Sequence, residues 1–143
     1  MTRTTRYAVR VEWGDCDPAG LVFYPNYFRF ADCATHHLLE TAGMGIPDLV
    51  ARYGIVGLPL VDAHLEFRSP SRWGDRLEVE SRIAEWRRKT FVVSHTIWNG
   101  AAAAVQGHEI RVWAISRPDD PKRLGAGEIP AEVVQRYEAA DGH

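Results

Sequence analysis

Between Tyr7 and Trp13, the apolar side chains Tyr7, Val9, Val11 and Trp13 alternate with Ala8, Arg10 and Glu12. A period of two sets one face of a strand on a core and the other in water. The pattern predicts a strand that ends at Gly14. The next stretch, GDCDPAG at 14–20, packs two glycines, a proline and two aspartates together, turn chemistry that predicts a tight loop. From Pro25 to Thr41 the period changes, with Tyr27, Ala31, Ala34, Leu38 and then Ala42 recurring at helical spacing. Pro25 suits a first turn and Gly43 a C-terminal stop, so one long helix is predicted here. Beyond it, LPLVDAHLEF, RLEVESRIAEW, TFVVSHTIW and QGHEIRVWAIS read as four strands, each alternating or rich in β-branched and aromatic residues. Asn99-Gly100 predicts a tight hairpin turn, and the alanine run after it leaves the register open. IPAEVVQRYEAA, near the C-terminus, predicts a short terminal helix.

One strand, one long helix and four further strands predict an α+β domain spanning 1–143, its antiparallel sheet burying one face against the helix. A single helix covers little of a five-stranded sheet. Open edges and a partly open face therefore predict pairing with a second copy of the chain.

The 143 residues are 45% hydrophobic, enough for one closed core. A formal charge of −2 provides no broad basic field, which argues against nucleic-acid binding. Neither a long apolar run nor a signal-like N-terminus is present, so no membrane partner and a cytoplasmic location are expected. Cys16 and Cys33 are too few for a disulfide framework and lack zinc-site spacing.

Asp17 stands in the loop before the long helix. Unpaired N–H groups at a helix start stabilise negative charge developing on a bound carbonyl oxygen, and a carboxylate beside them can attack the carbonyl or activate water. The plainer alternative is that Asp15 or Asp17 caps a turn. Cys16 is a competing nucleophile, but its nearest candidate bases, His36 and His37, lie well along the helix. Arg87, Arg88 and Lys89 follow Trp86 at a strand connection, where they suit phosphates or simply face water. His64, His95 and His108 fall on different predicted strands and no HExxH pair occurs, so no metal site is expected. Phe23, Tyr24, Tyr27, Phe28 and Phe30 form an aromatic group suited to the core or a subunit interface.

Four ordered blocks, EWGDCDPAGLVFYPNYFRFAD at 12–32, GIVGLPLV at 54–61, EWRRKTFV at 85–92 and HEIRVWA at 108–114, resemble the hotdog-fold 4-hydroxybenzoyl-CoA thioesterase family, in the branch whose catalytic aspartate lies in the first loop. The resemblance implies a five-stranded antiparallel sheet wrapped around one long central helix, with subunits joined edge to edge as a homodimer or homotetramer. It implies hydrolysis of a small acyl-CoA, 4-hydroxybenzoyl-CoA or a related aromatic one, with no metal or organic cofactor. Asp17 is then the nucleophile or general base, the Tyr24 backbone N–H polarises the carbonyl, and Arg87, Arg88 and Lys89 hold CoA phosphates, which in an oligomer can belong to a neighbour's substrate. Asp32 matches an acid of the family, able to meet a polar group of the acyl chain or to pair within the fold. Leu58 and His64 are expected near the acyl pocket. The alternatives are a short-chain aliphatic acyl-CoA thioesterase, a non-catalytic acyl-CoA-binding module, or a hydratase. The last needs a histidine–carboxylate pair, and His108 and Glu109 point to opposite faces of a strand.

Overall fold

A computed structural model describes residues 3–139. Among the described residues seven strands and three helices succeed one another: β1 (Thr4–Arg10), α1 (Pro25–Thr41), α2 (Ile46–Tyr53), β2 (Leu60–Phe67), β3 (Arg76–Trp86), β4 (Thr90–Asn99), β5 (Ala102–Val112), β6 (Ala114–Ser116), β7 (Leu124–Ala126) and α3 (Ala131–Ala139). The first five strands form one antiparallel sheet in the order β1-β3-β4-β5-β2. β6 and β7 pair separately. This is the α+β hotdog arrangement that the resemblance implies, with α1 packed in the hollow of the sheet.

The core follows from two periodicities that meet. On α1, Tyr27, Phe30, Ala31, Ala34, Leu38 and Leu39 are buried, the broad apolar stripe of a helix covered on one side. They pack against alternate sheet positions such as Leu77, Val79, Ile83, Val93, Ile97 and Val105. Pro25 opens α1 in its first turn, and Gly43 follows its end at φ 72°, the left-handed conformation that a residue without Cβ adopts at least cost.

Three expectations need correction. β1 stops at Arg10 rather than running to Trp13. The Asp15 carboxylate takes the Glu12 N–H at 2.9 Å and winds Trp13–Asp15 into a 3-10 turn. The last expected strand, 106–116, is two strands: β5 begins earlier, inside the alanine run, and breaks at Trp113 before β6. In the β4–β5 hairpin, Asn99 pairs with Ala102, so Gly100 and Ala101 form the turn, with Gly100 at φ 60°. α2 was not anticipated: of its eight residues only Leu49 is buried, too little repetition for a period to emerge. The terminal helix is present as α3, and Ala140, the last residue expected in it, lies outside the described residues.

β2 is an open edge. Only Leu65 of its eight residues is buried, and Leu60, Val61 and Phe67 are 45%, 59% and 50% exposed. No helix among the described residues is long and apolar enough to cross a membrane.

Candidate active site

The loop carrying Asp17 is closed on itself and stitched to the segment that follows β2. Asp17 N–H donates to the Leu21 carbonyl at 2.8 Å, and Gly20 N–H returns to the Asp17 carbonyl at 2.9 Å. Gly20 has φ 78°, which the turn requires and a side chain would resist. Leu21 bridges Arg72, and Val22 N–H donates to the Ser71 carbonyl at 2.9 Å. Asp17 Oδ1 accepts the N–H groups of Ala19 and Leu21 at 2.9 and 3.2 Å. Its Oδ2 has no partner among the described residues. Both readings of this residue thus have a physical basis: one oxygen organises the turn and the other is available for chemistry.

Asp15 anchors the loop from the other side. Its carboxylate pairs with Arg29 of α1 at 2.6 Å. Its carbonyl accepts the Phe23 N–H at 2.9 Å and the Asn26 side-chain amide at 2.8 Å. These bonds tie the loop to the first turn of α1. There Asn26 N–H donates to the Phe23 carbonyl and Pro25 has no N–H to offer. The Tyr24 N–H has no acceptor among the described residues. Asp17 and Tyr24 line one cleft of about 300 Å³, walled by Tyr27, Phe67 and Arg68. Phe67 lies 5.5 to 6.5 Å, centroid to centroid, from Tyr24, Tyr27 and Phe28. A residue with a free carboxylate oxygen and one with an unpaired N–H, lining one small, largely apolar cleft, bring together the two elements needed to attack a carbonyl and stabilise its oxygen.

Cys16 is poorly placed to compete as a nucleophile. Burial and the neighbouring carboxylates Asp15, Asp17 and Asp75 push its thiol above the ordinary value, which reduces the thiolate available for attack.

Other expected residues lie elsewhere in the chain. Arg87, Arg88 and Lys89 form the β3–β4 turn, where Arg87 pairs with Glu85 at 3.1 Å and Arg88 with Glu128 at 2.7 Å. The Asp17 loop abuts residues 71–75 at the opposite end of β3. Ten strand steps separate the two ends, about 33 Å. His64 is on the outer face of the sheet, stacked on His108 at 5.8 Å, and it does not join the Asp17 cleft. Leu58 is buried, and its carbonyl accepts a hydrogen bond from Arg111 at 3.0 Å. Asp32, nearly half exposed on α1, pairs with the same Arg111 at 2.6 Å and approaches His36 at 3.4 Å. Among the described residues no group of His, Cys, Asp or Glu is arranged to hold a metal ion.

Behind Asp32 is a buried polar chain that sequence reasoning did not find. Thr35, Ser81, His95, Glu109 and Arg111 are each at most 4% exposed. Ser81 meets His95 Nδ1 at 2.7 Å, His95 Nε2 meets Glu109 at 3.0 Å, and Glu109 pairs with Arg111 at 2.9 Å. The Thr35 hydroxyl also donates to Glu109. Burial raises the affinity of Glu109 for a proton, but His95, Arg111 and Thr35 outweigh it and hold the carboxyl at about 2. A signal was present: Glu109 and Arg111 share a strand face with Val105 and Trp113, and charges in register with apolar residues mark a buried pair.

Comparison with known proteins follows the same lines as the geometry. The family described as the thioesterase-like superfamily matches residues 11–133. The 4-hydroxybenzoyl-CoA thioesterase of Pseudomonas sp. (strain CBS-3) is 36% identical, over 94% of this chain and 98% of that protein. The D17N mutant of 4-hydroxybenzoyl-CoA thioesterase, solved in complex with 4-hydroxybenzoyl-CoA, superposes with a TM-score of 0.86 at 35% identity, covering 94% of this chain and 98% of that one. A gentisyl-coenzyme A thioesterase gives 0.79 at 34% identity, covering 92% and 99%. Matched by that family across most of its length, this chain belongs to the thioesterase-like superfamily.

Proposed function

We propose that this chain hydrolyses aromatic acyl-CoA thioesters, 4-hydroxybenzoyl-CoA foremost, to the free acid and CoA, with Asp17 as the catalytic carboxylate. The observation that carries the reading is that Asp17, with one carboxylate oxygen unbonded, and Tyr24, with its N–H unpaired, line the same cleft. The thioester carbonyl oxygen accepts the Tyr24 N–H, at the positive end of α1, and Asp17 faces the carbonyl carbon. Two routes fit. Asp17 attacks the carbon, the C–S bond breaks, CoA leaves as thiolate and water then hydrolyses the mixed anhydride. In the other route Asp17 takes a proton from a water whose oxygen attacks the carbon, and the C–S bond breaks to release CoA thiolate and the acid.

The aromatic acyl group is supported by length. Tyr24 and Asp32 are eight residues apart, about 12 Å along a helix axis, and a hydrogen bond of about 3 Å at each end leaves about 6 Å. That matches the span from a benzoyl carbonyl to its para substituent. Phe28 lies between the two positions, one helical turn from each, beside Phe67. A carboxylate at the far end favours an acyl group with a donor there, such as a phenol.

The phosphate grip requires a second copy. The pantetheine arm of CoA is shorter than β3, so Arg87, Arg88 and Lys89 at one end of that strand cannot serve the Asp17 cleft at the other. In a homodimer, or a homotetramer built from it, joined along the open β2 edges, these cations serve the neighbour's substrate.

Release of free thiol from a panel of acyl-CoAs, parent against Asp17→Asn, tests the assignment. The parent should turn over hydroxylated benzoyl thioesters fastest, and the near-isosteric variant should lose at least roughly a hundredfold in kcat, the scale of a lost reacting group. Equal turnover by the two proteins would remove Asp17 from the mechanism.

A further inference from the structure

The chain Ser81–His95–Glu109–Arg111 begins in the core and ends at Asp32, where it meets solvent. Removing two opposite charges from water costs several kcal/mol per ion, and a well-packed apolar pair is often at least as stable. Stability alone is therefore a poor reason for this arrangement. Its geometry points elsewhere. One Arg111 nitrogen, Nη2, bonds both Glu109 at 2.9 Å and Asp32 at 2.6 Å, and Nη1 is held by the Leu58 carbonyl at 3.0 Å. The buried Nε is left without a partner. The guanidinium is thus held by the contacts that aim it at Asp32, although its own donors are not all satisfied. Glu109 is fixed in turn by three donors on three different elements: Thr35 of α1, His95 of β4 and Arg111 of β5.

We infer that Arg111, clamped by Glu109, is a positioning residue that orients the Asp32 carboxylate at the far end of the acyl site and thereby sets selectivity for acyl groups carrying a hydrogen-bond donor. The inference rests on the thioesterase reading above. Arg111 is buried and need not touch substrate; it acts through Asp32, and Glu109, His95 and Thr35 act through Arg111. Without Arg111, Asp32 on an exposed helix face keeps only the 3.4 Å approach of His36, and a carboxylate held by that one contact discriminates less well. A fixed one accepts a phenol and leaves an unsubstituted ring with an unmet acceptor, which is the stronger source of selectivity.

The test compares kcat/KM for 4-hydroxybenzoyl-CoA and benzoyl-CoA in the parent, Arg111→Lys, Asp32→Asn and the double variant. Lysine keeps the charge but cannot bridge two carboxylates and a carbonyl in one plane. Arg111→Lys should lower the preference for the hydroxylated substrate by roughly tenfold or more, the scale of a hydrogen bond to a charged group. In the Asp32→Asn background the same substitution should leave the preference unchanged. Equal losses on both substrates, or the same change in both backgrounds, would show a merely structural role and overturn the inference. If Arg111→Lys fails to fold, Thr35→Val removes one donor from Glu109 at nearly constant shape. A shifted preference then supports the inference, and an unshifted one overturns it. Absence of Asp17-dependent thiol release by the parent is a different failure: it removes the activity itself, and this inference with it.

Discussion

The Asp15 carbonyl oxygen accepts two hydrogen bonds, from Phe23 N–H and from the Asn26 amide, while its carboxylate holds Arg29 and the Glu12 N–H. One residue therefore joins the turn before Asp17 to the helix start that bears the Tyr24 N–H, and the separation of carboxylate and proposed oxyanion donor depends on it. Asn26→Ala removes one of these bonds without touching either of the groups proposed as catalytic. A side-chain hydrogen bond to backbone is worth about 1 kcal/mol net, and misplacement within a site costs rate far more readily than binding. The expected result is a fall in kcat of roughly tenfold with KM nearly unchanged and Tm lowered by a few degrees, read from steady-state kinetics and thermal unfolding. A rise in KM at constant kcat would show instead that Asn26 serves binding. At this scale the loop was legible because its chemistry is local: Asp, Pro and Gly within seven residues make a turn wherever they occur. The Thr35–His95–Glu109–Arg111 chain was not, because its members come from α1, β4 and β5 and meet only after the sheet has closed around the helix.

Among the elements, β3, β4 and α1 were readable because each is covered on one face only and carries that fact as alternation or helical spacing. β2 was expected from the run LPLVDAHLEF, but its exposed state is a property of the whole sheet. Leu60, Val61 and Phe67 are apolar and largely open, and the strand's outer edge has no pairing partner among the described residues. An unpaired edge with apolar side chains joins a like edge unless charge prevents it. Leu60 and Val61 are 45% and 59% exposed and line neither the Asp17 cleft nor the groove beside Arg87, so Leu60→Lys with Val61→Lys alters the edge without entering the site. Across a two-fold axis the new charges face one another. Light scattering should then report the mass of one chain, and hydrolysis should fall with a large rise in KM, since in the proposed dimer the neighbour supplies the phosphate-binding turn. A lone chain with unchanged kcat/KM would refute the shared site, and an unaltered oligomer would move the interface away from β2.

For the molecule as a whole, acid is the condition that separates the buried ion cluster from the rest of the fold. Glu109 titrates at about 2 rather than its ordinary 4.5, because His95, Arg111 and Thr35 stabilise its charge more than burial penalises it. The folded state thus binds this proton less readily than the unfolded chain does, and the sign follows: stability from Glu109 is complete above about pH 4.5 and is lost as pH falls toward 2. A drop of that size corresponds to about 3 kcal/mol, a large share of the stability of a small domain. Acid acts on the whole molecule, so the comparison must be with Glu109→Gln, which retains the shape but has no charge to lose. At pH 7 the variant should be less stable, having left Arg111 with only Asp32 and the Leu58 carbonyl. Between pH 4.5 and 2 the difference between the two proteins should shrink, because protonated Glu109 resembles glutamine in charge. Urea unfolding at a series of pH values gives both curves, and parallel curves across that window would mean that the cluster is not what acid breaks.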